Sequence, residues 1–331
     1  MRLEELQKIA RRHRLDQVLV MGEANLRALT GITCDNAILT LDALYTDFRY
    51  FAMIHRVAPK LKCRAISRFR PRGKRIGYEG AMSHARFLAF QKAAPRAKFV
   101  DIAKDLAALR AVKTADEIAA LRAAEKLNCE IWQIARGRFV AGMTERQMAR
   151  IIQGLMIEKG EGEAFPTIVC VGKNAAECHH EPDDTLWNGR EPILVDMGVK
   201  LNGFCSDLTR NLIPRASRLY RQVYQLVLEA NRAAISAARP GITGKALDKV
   251  ARDIIKKGGF GKCFGHALGH GVGYEIHEAP AASKKSDVVL KPGMIVTIEP
   301  GIYLEDHLGV RIEDLVLITE TGCEVLSNCE K

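Results

Sequence analysis

Two aspartates eleven positions apart, Asp196 and Asp207, lie in the stretch LVDMGVKLNGFCSDLTR, which otherwise has the pattern of a half-buried β-hairpin. The dipeptide Asn202-Gly203 favours a two-residue type I′ turn, because both central residues need positive φ. With that turn, Asp196 lies opposite Thr209 and diagonal to Asp207 on one face of the hairpin. Close carboxylates on a half-buried surface repel each other and lose hydration. The pattern therefore predicts a positive charge between them.

More acidic side chains and several histidines follow in strand-like surroundings. Glu299 ends the apolar run MIVTI before a Pro-Gly turn, and GVRIEDLVLI places Arg311 and Glu313 on one face of a predicted strand. Three histidines and four glycines share the stretch FGHALGHGVGYEIHE, where the glycines indicate backbone held close to its neighbours. Carboxylates with imidazole suit Mn²⁺, Co²⁺, Fe²⁺ or Zn²⁺, and four carboxylates balance two divalent ions. Such paired ions activate a water for hydrolysis.

The composition is that of a globular protein with room for two domains in its 331 residues. No segment approaches the ~18 apolar residues of a membrane span. The start MRLEELQKIARRHRL is charged and helix-periodic, unlike a signal peptide, so we expect a cytoplasmic protein with no membrane partner. The nine cysteines are scattered without a C-x-x-C pair, which argues against a disulfide framework and a zinc ribbon.

The net charge of +11 is concentrated near the start of the chain. Residues 1–112 contain 22 Lys and Arg against 10 Asp and Glu, whereas the remainder contains 28 against 29. The stretch 56–75 has nine basic residues and no acid. It is either a patch for an acidic partner or a solvated edge that discourages strand pairing. Because no RNA-binding signature accompanies it, we do not expect a nucleic-acid partner; retention on heparin or DNA would test a bifunctional enzyme.

Hydrophobic periodicity divides the chain near residue 112, where the charge balance also changes. Thr114 with Glu117 and Thr144 with Gln147 fit the capping box that begins a helix. Strands are predicted from Gly160 to about 213, helices over 216–257, and strands again to the end. The pattern before 112 predicts an α/β domain with helices over 2–13, 25–31 and 82–94, and strands at QVLVMG, NAILTL, ALYTDFRYFAMI and KFVDI.

Four motifs, DMGVKLNGFCSDLTR, GHALGHGVGYEIHE, TIEPGIY and GVRIED, together resemble the pita-bread metallopeptidases, which include Xaa-Pro aminopeptidases, prolidases and methionine aminopeptidases. The resemblance covers residues 113–331, and NLRALTG and YTDFRY resemble the creatinase-type N-terminal domain. It implies an α/β creatinase-like domain, residues 1–112, followed by an α+β pita-bread domain with a curved antiparallel sheet. The resemblance also implies two divalent ions per chain, with Mn²⁺ expected, and a homodimer. The implied ligands are Asp196, Asp207, His270, Glu299 and Glu313, with Asp207 and Glu313 bridging the ions.

The resemblance also implies catalytic roles for particular side chains. Glu299 is the expected general base as well as a ligand. His277 matches the histidine that stabilises the developing oxyanion. His179, in NAAECHHEP, matches a second substrate-contacting histidine, with the adjacent His180 as the alternative. His266 resembles a proton-shuttle or pocket-lining residue, although it also fits a hydrogen-bonded core histidine.

Supporting and substrate-contacting positions complete the predicted site. Arg311 and Thr209 can hold ligand carboxylates in place, whereas Arg210 lies on the other face of the hairpin and is interpreted as structural. Phe165 and Tyr303 match positions that line the substrate site in relatives, where apolar rings suit proline. Plain core packing would give these two rings the same sequence pattern.

The predicted function is hydrolysis of the bond before proline in peptides with proline in second position, the reaction of an Xaa-Pro aminopeptidase. A prolidase, the alternative, cleaves free dipeptides and must bind their carboxylate. Related dipeptidases can place an arginine shortly after the HE pair, where this chain has Ala281 and then Lys284 and Lys285. A methionine aminopeptidase would lack the first domain, and a peptide-binding relative without activity would not need an intact ligand set.

Overall fold

The computed structural model describes residues 2–331, which form two compact units, one ending at Arg110 and the other spanning Ala111–Lys331. Helices and strands alternate in the first unit, which confirms its predicted α/β class. No helix within residues 2–331 has the length and apolar content needed to cross a bilayer. The elements up to the border are α1 (Leu3–His13), β1 (Gln17–Leu19), α2 (Glu23–Thr30), β2 (Ala37–Leu39), β3 (Leu44–Thr46), α3 (Phe48–Val57), β4 (Cys63–Ala65), β5 (Arg75–Tyr78), α4 (His84–Ala93), β6 (Lys98–Asp101) and α5 (Ala103–Ala111).

Two three-stranded sheets organise the first unit. One is parallel, in the order β1-β5-β6, and the other pairs β2 with β3 antiparallel and β3 with β4 parallel. The strand predicted over ALYTDFRYFAMI is wrong beyond Thr46, because α3 begins at Phe48. Asp47 caps this helix by accepting a hydrogen bond from the backbone N–H of Arg49 (3.0 Å). An aromatic-rich run fits a strand or a helix, and the capping aspartate decides between them.

The second unit is built from four α-helices and twelve strands, with two short 3-10 helices. Both predicted capping boxes are confirmed, at Thr114–Glu117 and Thr144–Gln147. Its elements are α6 (Ala115–Arg136), α7 (Glu145–Lys159), β7 (Ile168–Val171), β8 (Ile193–Met197), β9 (Lys200–Leu201), β10 (Phe204–Cys205), β11 (Leu208–Leu212), α8 (Arg218–Ala237), α9 (Gly244–Lys257), β12 (Gly269–Gly271), β13 (Glu278–Ala282), β14 (Ile295–Ile298), β15 (Gly301–Leu304), β16 (Leu308–Arg311), β17 (Asp314–Ile318) and β18 (Cys323–Val325).

Antiparallel sheets backed by helices form the two layers of the second unit. A three-stranded sheet, β11-β8-β7, packs on α6 and α7 through a core that includes Trp132, Met148 and Val195. A five-stranded sheet, β13-β12-β14-β17-β18, packs on α8 and α9 through residues such as Val227 and Val296. Each such fully buried aliphatic side chain contributes about 1.5–3 kcal/mol. This is the α+β arrangement that the sequence predicts.

Breaks between consecutive strands position two of the predicted site glutamates. The segment GVRIEDLVLI is two strands rather than one, because β16 ends at Arg311 and β17 begins at Asp314. Glu313 lies in this break, and Glu299 lies in the corresponding break between β14 and β15. The chain leaves the β14 hydrogen-bond ladder at Glu299. Its backbone N–H stays hydrogen-bonded there, because it donates to Leu268 O (2.9 Å). A regular strand pattern does not predict such a break.

Candidate metal centre

The hairpin of β8 and β11 holds Asp196 and Asp207 on the face opposite the hydrophobic core. Its turn residues, Asn202 and Gly203, have φ values of 50° and 68°, so both adopt the left-handed conformation that a type I′ turn requires. Asp196 pairs with Thr209 in the β8–β11 register. Turn and register are therefore as predicted.

Glycines on either side of His270 allow β12 to approach its neighbours closely. A Cβ atom at Gly269 would lie 2.0 Å from the carbonyl oxygen of Thr297 in β14. One at Gly271 would lie 2.3 Å from the carbonyl oxygen of Ala279 in β13. Any larger residue at these two positions would push the strands apart and move the imidazole, which explains the glycine density of this stretch.

His270 presents one nitrogen to the acidic cluster. Its Nδ1 lies 3.2 Å from Gly271 O, so the geometry assigns the proton to Nδ1 and leaves Nε2 as an acceptor. Nε2 lies 3.5 Å from Asp207 Oδ2 and 3.4 Å from Glu299 Oε1. Burial, assisted by the charge of His277, lowers the pKa of His270 to about 4. The imidazole is therefore neutral at pH 7, the form that binds metal ions.

The carboxylates of the cluster face each other with few donors between them. Asp207, His270 and Glu313 bring one ligand atom each within 4.8 Å of the others. Burial, and then repulsion between the carboxylates, raises the pKa of Asp207 and Glu313 well above the usual range. Burial likewise raises the pKa of Glu299 to about 8. Oδ1 of Asp196 is buried and has no hydrogen-bond partner within residues 2–331. A divalent cation would satisfy these oxygens, so the residues fit the implied metal.

Arg311 connects ligands that come from different strands. Its side chain is almost fully buried and donates to Asp196 Oδ2 (2.6 Å), Thr209 Oγ1 (3.1 Å) and the Tyr303 hydroxyl (2.9 Å). Thr209 in turn donates to Glu313 Oε2 (2.6 Å). Arg311 and Thr209 therefore fix the orientation of Asp196 and Glu313, the kind of contact expected of groups that hold metal ligands.

One cavity of about 460 Å³ joins most of the predicted site. Thr209 and Tyr303 are outside its lining; the Tyr303 hydroxyl contacts His266 and Arg311, which are both in the lining. The predicted residues that line it are Phe165, His179, Asp196, Asp207, His266, His270, His277, Glu299, Arg311 and Glu313, together with the alternative His180.

The two adjacent histidines differ in their surroundings. His179 is exposed to the cavity. His180 is buried, with Nε2 2.7 Å from Glu145 Oε2 and Nδ1 3.1 Å from Glu177 Oε2. Both ring nitrogens of His180 are thus engaged within the protein, which favours His179 as the substrate-contacting residue.

His266 is held on both sides. Its Nδ1 lies 2.7 Å from Ala267 O and its Nε2 lies 2.9 Å from the Tyr303 hydroxyl. Burial, with the neighbouring Arg311 charge, lowers the pKa of His266 to about 4. It is therefore a neutral, hydrogen-bonded histidine that lines the cavity, as the pocket-lining prediction has it, and its catalytic role stays a prediction.

Comparison with protein families assigns both parts of the chain. The profile of Metallopeptidase family M24 matches residues 119–320, and that of the Creatinase/Prolidase N-terminal domain matches residues 2–112. The chain belongs to metallopeptidase family M24. Its fold is accordingly a creatinase-type N-terminal domain followed by a pita-bread catalytic domain.

Individual M24 relatives carry two kinds of name. An Xaa-Pro dipeptidase from Pyrococcus furiosus is 44% identical over 192 residues, which is 57% of this chain and 55% of that protein. The alignment thus spans about half the length of that curated relative. The uncharacterized peptidase YqhT from Bacillus subtilis is 31% identical over 348 residues, covering 100% of this chain and 99% of that protein.

Two solved structures superpose on nearly the whole of this M24 chain. Prolidase from Pyrococcus furiosus superposes with a TM-score of 0.91 at 33% identity, covering 98% of this chain and 99% of that one. An X-Pro aminopeptidase from Thermotoga maritima gives 0.88 at 31% identity, covering 98% of each chain. The similarity includes proteins of both names, so it supports a metal-dependent hydrolase and leaves the two substrate classes to experiment.

Two buried glutamates of this M24 domain were not predicted from the sequence. Glu125 on α6 accepts hydrogen bonds from the backbone N–H of Asp207 (3.1 Å) and from Ser327 (2.6 Å), and burial raises its pKa to about 8. Glu145 at the start of α7 accepts from His180 and from three further donors. The sequence offers one indication of Glu125: it follows Leu121 by four positions, so the two residues share a helix face, and Leu121 is fully buried.

Proposed function

We propose that this M24 chain hydrolyses Xaa-Pro dipeptides, using two divalent metal ions with Mn²⁺ as the expected metal. The observation that carries the proposal is the single cavity lined by the five predicted ligands and by His179 and His277. The dipeptide substrate rests on relatives named Xaa-Pro dipeptidase or prolidase. These names favour the dipeptidase over the aminopeptidase that the sequence argument preferred.

In this proposal the protein binds the metal through four carboxylates and one imidazole. Two divalent ions held there would supply Lewis-acid stabilisation and lower the pKa of a bound water. Glu299 would take a proton from the attacking water, the role that the family resemblance implies, since a cation bound beside it would favour its ionised form. His277 donates a hydrogen bond to the carbonyl oxygen as that oxygen gains negative charge. The residues that would hold the metal are Asp196, Asp207, His270, Glu299 and Glu313.

Two further residues of the cavity lining would contact the substrate. His179 is exposed to the cavity and can hydrogen-bond a polar group of the peptide. Phe165 supplies an aromatic ring against which a proline ring can pack.

An Xaa-Pro aminopeptidase is the second candidate, and one position of β13 favours it. Ala281 lies opposite His270 in the β12–β13 register; it is exposed and outside the cavity lining, so it would take the long side chain of an arginine there to reach a dipeptide carboxylate. Lys284 and Lys285 are exposed and outside the cavity lining. Within residues 2–331, the only Lys or Arg in that lining is Arg311, which is paired with Asp196.

Initial rates on Ala-Pro and Ala-Pro-Ala, after reconstitution with Mn²⁺ and separately with Co²⁺, test the proposal. Faster cleavage of Ala-Pro supports the dipeptidase, whereas faster cleavage of Ala-Pro-Ala overturns it in favour of the aminopeptidase. No cleavage of either peptide, with metal bound, would contradict Xaa-Pro specificity altogether.

A pair of variants at Ala281 sharpens the comparison of substrates. Ala281→Arg should shift the rate ratio toward Ala-Pro by adding a carboxylate partner, whereas Ala281→Met should not, because it adds similar bulk without charge.

The predicted homodimer and the cytoplasmic location remain predictions from the sequence. Light scattering on the purified protein tests the dimer.

A further inference from the structure

Two thiols that are 200 positions apart in the sequence lie against each other in the second unit. Cys129 Sγ on α6 is 2.9 Å from Cys329 Sγ, which belongs to the irregular segment 326–331. Both residues are less than one tenth exposed. The sulfur atoms would have to approach by less than about 1 Å to form a covalent bond. Neither residue has a role in the proposed hydrolysis.

Arg210 anchors the segment that carries Cys329. Its buried guanidinium donates to the carbonyl oxygens of Cys329 (3.2 Å) and Glu330 (3.0 Å), and to the carboxylate of Asp314 (3.0 Å). It also donates to Thr209 O (3.0 Å), within the hairpin of the metal centre. The Arg210 guanidinium therefore binds the segment that contains Cys329 and also contacts the backbone of the candidate metal centre.

The two thiols are not equivalent. The hydrogen bond from the Cys129 thiol favours a Cys329 thiolate and outweighs burial, so the pKa of Cys329 falls to about 7, assisted by the charge of Arg210. The same hydrogen bond and burial raise the pKa of Cys129. Cys329 lies in the irregular segment held by the Arg210 guanidinium, whereas Cys129 lies within α6. Because the thiolate is the attacking form and must reach the oxidant, Cys329 is the expected nucleophile and Cys129 the thiol that resolves the intermediate.

Access to Cys329 requires only a local movement. Its neighbours Asn328 and Glu330 are exposed, and the segment 326–331 contains no helix or strand. Short irregular segments open at lower free energy than the core. Cys170, by contrast, lies within β7 and is fully buried, so it should stay reduced under the same conditions.

We propose that Cys129 and Cys329 form a reversible intramolecular disulfide, a redox modification site of this chain. The oxidant is a low-molecular-weight disulfide such as oxidised glutathione. The Cys329 thiolate attacks one sulfur of the oxidant, forms a mixed disulfide and releases one thiol. Cys129 then loses its proton to solvent and attacks the Cys329 sulfur, which forms the protein disulfide and releases the second thiol. The protein loses two electrons and two protons, and the oxidant is reduced to two thiols.

The new bond would link segment 326–331 covalently to α6. The expected result is a higher melting temperature for the oxidised protein than for the reduced protein, because a cross-link across 200 positions restricts the unfolded chain. The rise should disappear when dithiothreitol reduces the bond.

The test equilibrates the 331-residue protein in glutathione buffers of increasing oxidation, blocks free thiols under denaturing conditions and maps the peptides by mass spectrometry. The expected result is a disulfide-linked pair of peptides containing Cys129 and Cys329, with the other seven of the nine cysteines blocked as thiols. If Cys129 and Cys329 are both blocked as thiols in the most oxidising buffer, the proposal is overturned. This measurement needs no variant, so a folding defect cannot obscure it.

Single variants then test the order of the steps. In Cys129→Ser the reaction should stop at a glutathione adduct on Cys329, because the resolving thiol is gone. In the matched control Cys323→Ser, which removes a thiol six positions from Cys329, the disulfide should form as in the natural chain. Absence of an adduct in Cys129→Ser, or loss of the disulfide in Cys323→Ser, would contradict the proposed pair.

Discussion

The second unit contains two clusters of similar residue types with different surroundings. The metal cluster comprises the five predicted ligands, among them Asp207, His270 and Glu313; the loop cluster comprises Glu145, His180 and Asp183. Each cluster brings three ligand atoms within 4.8 Å of one another. By residue type and spacing alone, either one qualifies as a metal site.

Hydrogen-bond donors distinguish the two clusters. In the loop cluster, the Glu145 carboxylate accepts from His180 Nε2 (2.7 Å), Asn174 Nδ2 (3.0 Å) and the backbone N–H groups of Val171 (2.6 Å) and Asp183 (3.1 Å). A carboxylate with four donors is stable without a cation. In the metal cluster the acids face each other, and raised pKa values reflect this conflict.

We therefore interpret the loop cluster as structural. It connects the start of α7 to the loop that follows β7, and this loop carries His179 into the cavity lining. Missing donors, rather than the presence of Asp, Glu and His, mark a metal site. Four substitutions test this distinction, in order of decreasing expected effect.

Glu313→Gln should lower kcat/KM by at least ~10³-fold, equivalent to about 4 kcal/mol, because it removes a charge from the metal cluster. The metal content per chain, measured by mass spectrometry after dialysis, should fall as well. The matched variant Glu145→Gln should keep the metal content of the natural chain. If Glu145→Gln instead lost metal and Glu313→Gln retained it, the assignment of the two clusters would be reversed.

Arg311→Lys should lower kcat/KM by about 10–100-fold, the usual cost of altering a group that orients metal ligands. Lysine keeps the charge but cannot contact Asp196, Thr209 and Tyr303 together. Exposed Arg122→Lys is the control and should leave kcat/KM unchanged. Full activity of Arg311→Lys would show that charge alone suffices at this position.

His180→Gln should destabilise the protein more at pH 6 than at pH 9. Burial opposes protonation of His180, but hydrogen bonds to Glu145 and Glu177 outweigh it and raise its pKa. Because the folded-state pKa is raised, this stabilisation is fully present below the unfolded pKa of about 6.5. It is lost as the pH rises through the raised pKa.

Urea unfolding of the natural chain and of His180→Gln at both pH values measures the effect, with a loss of about 1.5–3 kcal/mol expected at pH 6. Exposed His307→Gln serves as the control and should change stability equally at the two pH values. An equal loss for His180→Gln at pH 6 and pH 9 would rule out a charged His180.

Glu177→Gln should have the smallest effect, below about 0.5 kcal/mol in urea unfolding, because the Glu177 side chain is 75% exposed. Its partner in the comparison, Glu145→Gln, should cost about 1–3 kcal/mol, since Glu145 is fully buried. Similar losses for both variants would mean that burial does not set how much each carboxylate partner of His180 contributes to stability.

Local chemistry explains which elements could be predicted from the sequence. The capping boxes at Thr114 and Thr144 and the turn at Asn202-Gly203 depend on neighbouring residues, and all three predictions are confirmed. The helix beginning at Phe48 was missed because its aromatic residues also fit a strand. The break before Glu313 was missed because strand periodicity continues across it.

The sequence by itself determined the residue types and spacing from which the five ligands are predicted, the register of the hairpin and the family. The hairpin register depends on side-chain alternation and turn geometry, which act over a few residues, whereas the ligand set and the family follow from the resemblance of four motifs to known peptidases. Only the tertiary structure decided which cluster lacks donors, and that His179 is exposed whereas the adjacent His180 is buried. It also brought Cys129 and Cys329 together. Burial and hydrogen-bond partners at these sites come from segments far apart in the chain, and no local pattern encodes them.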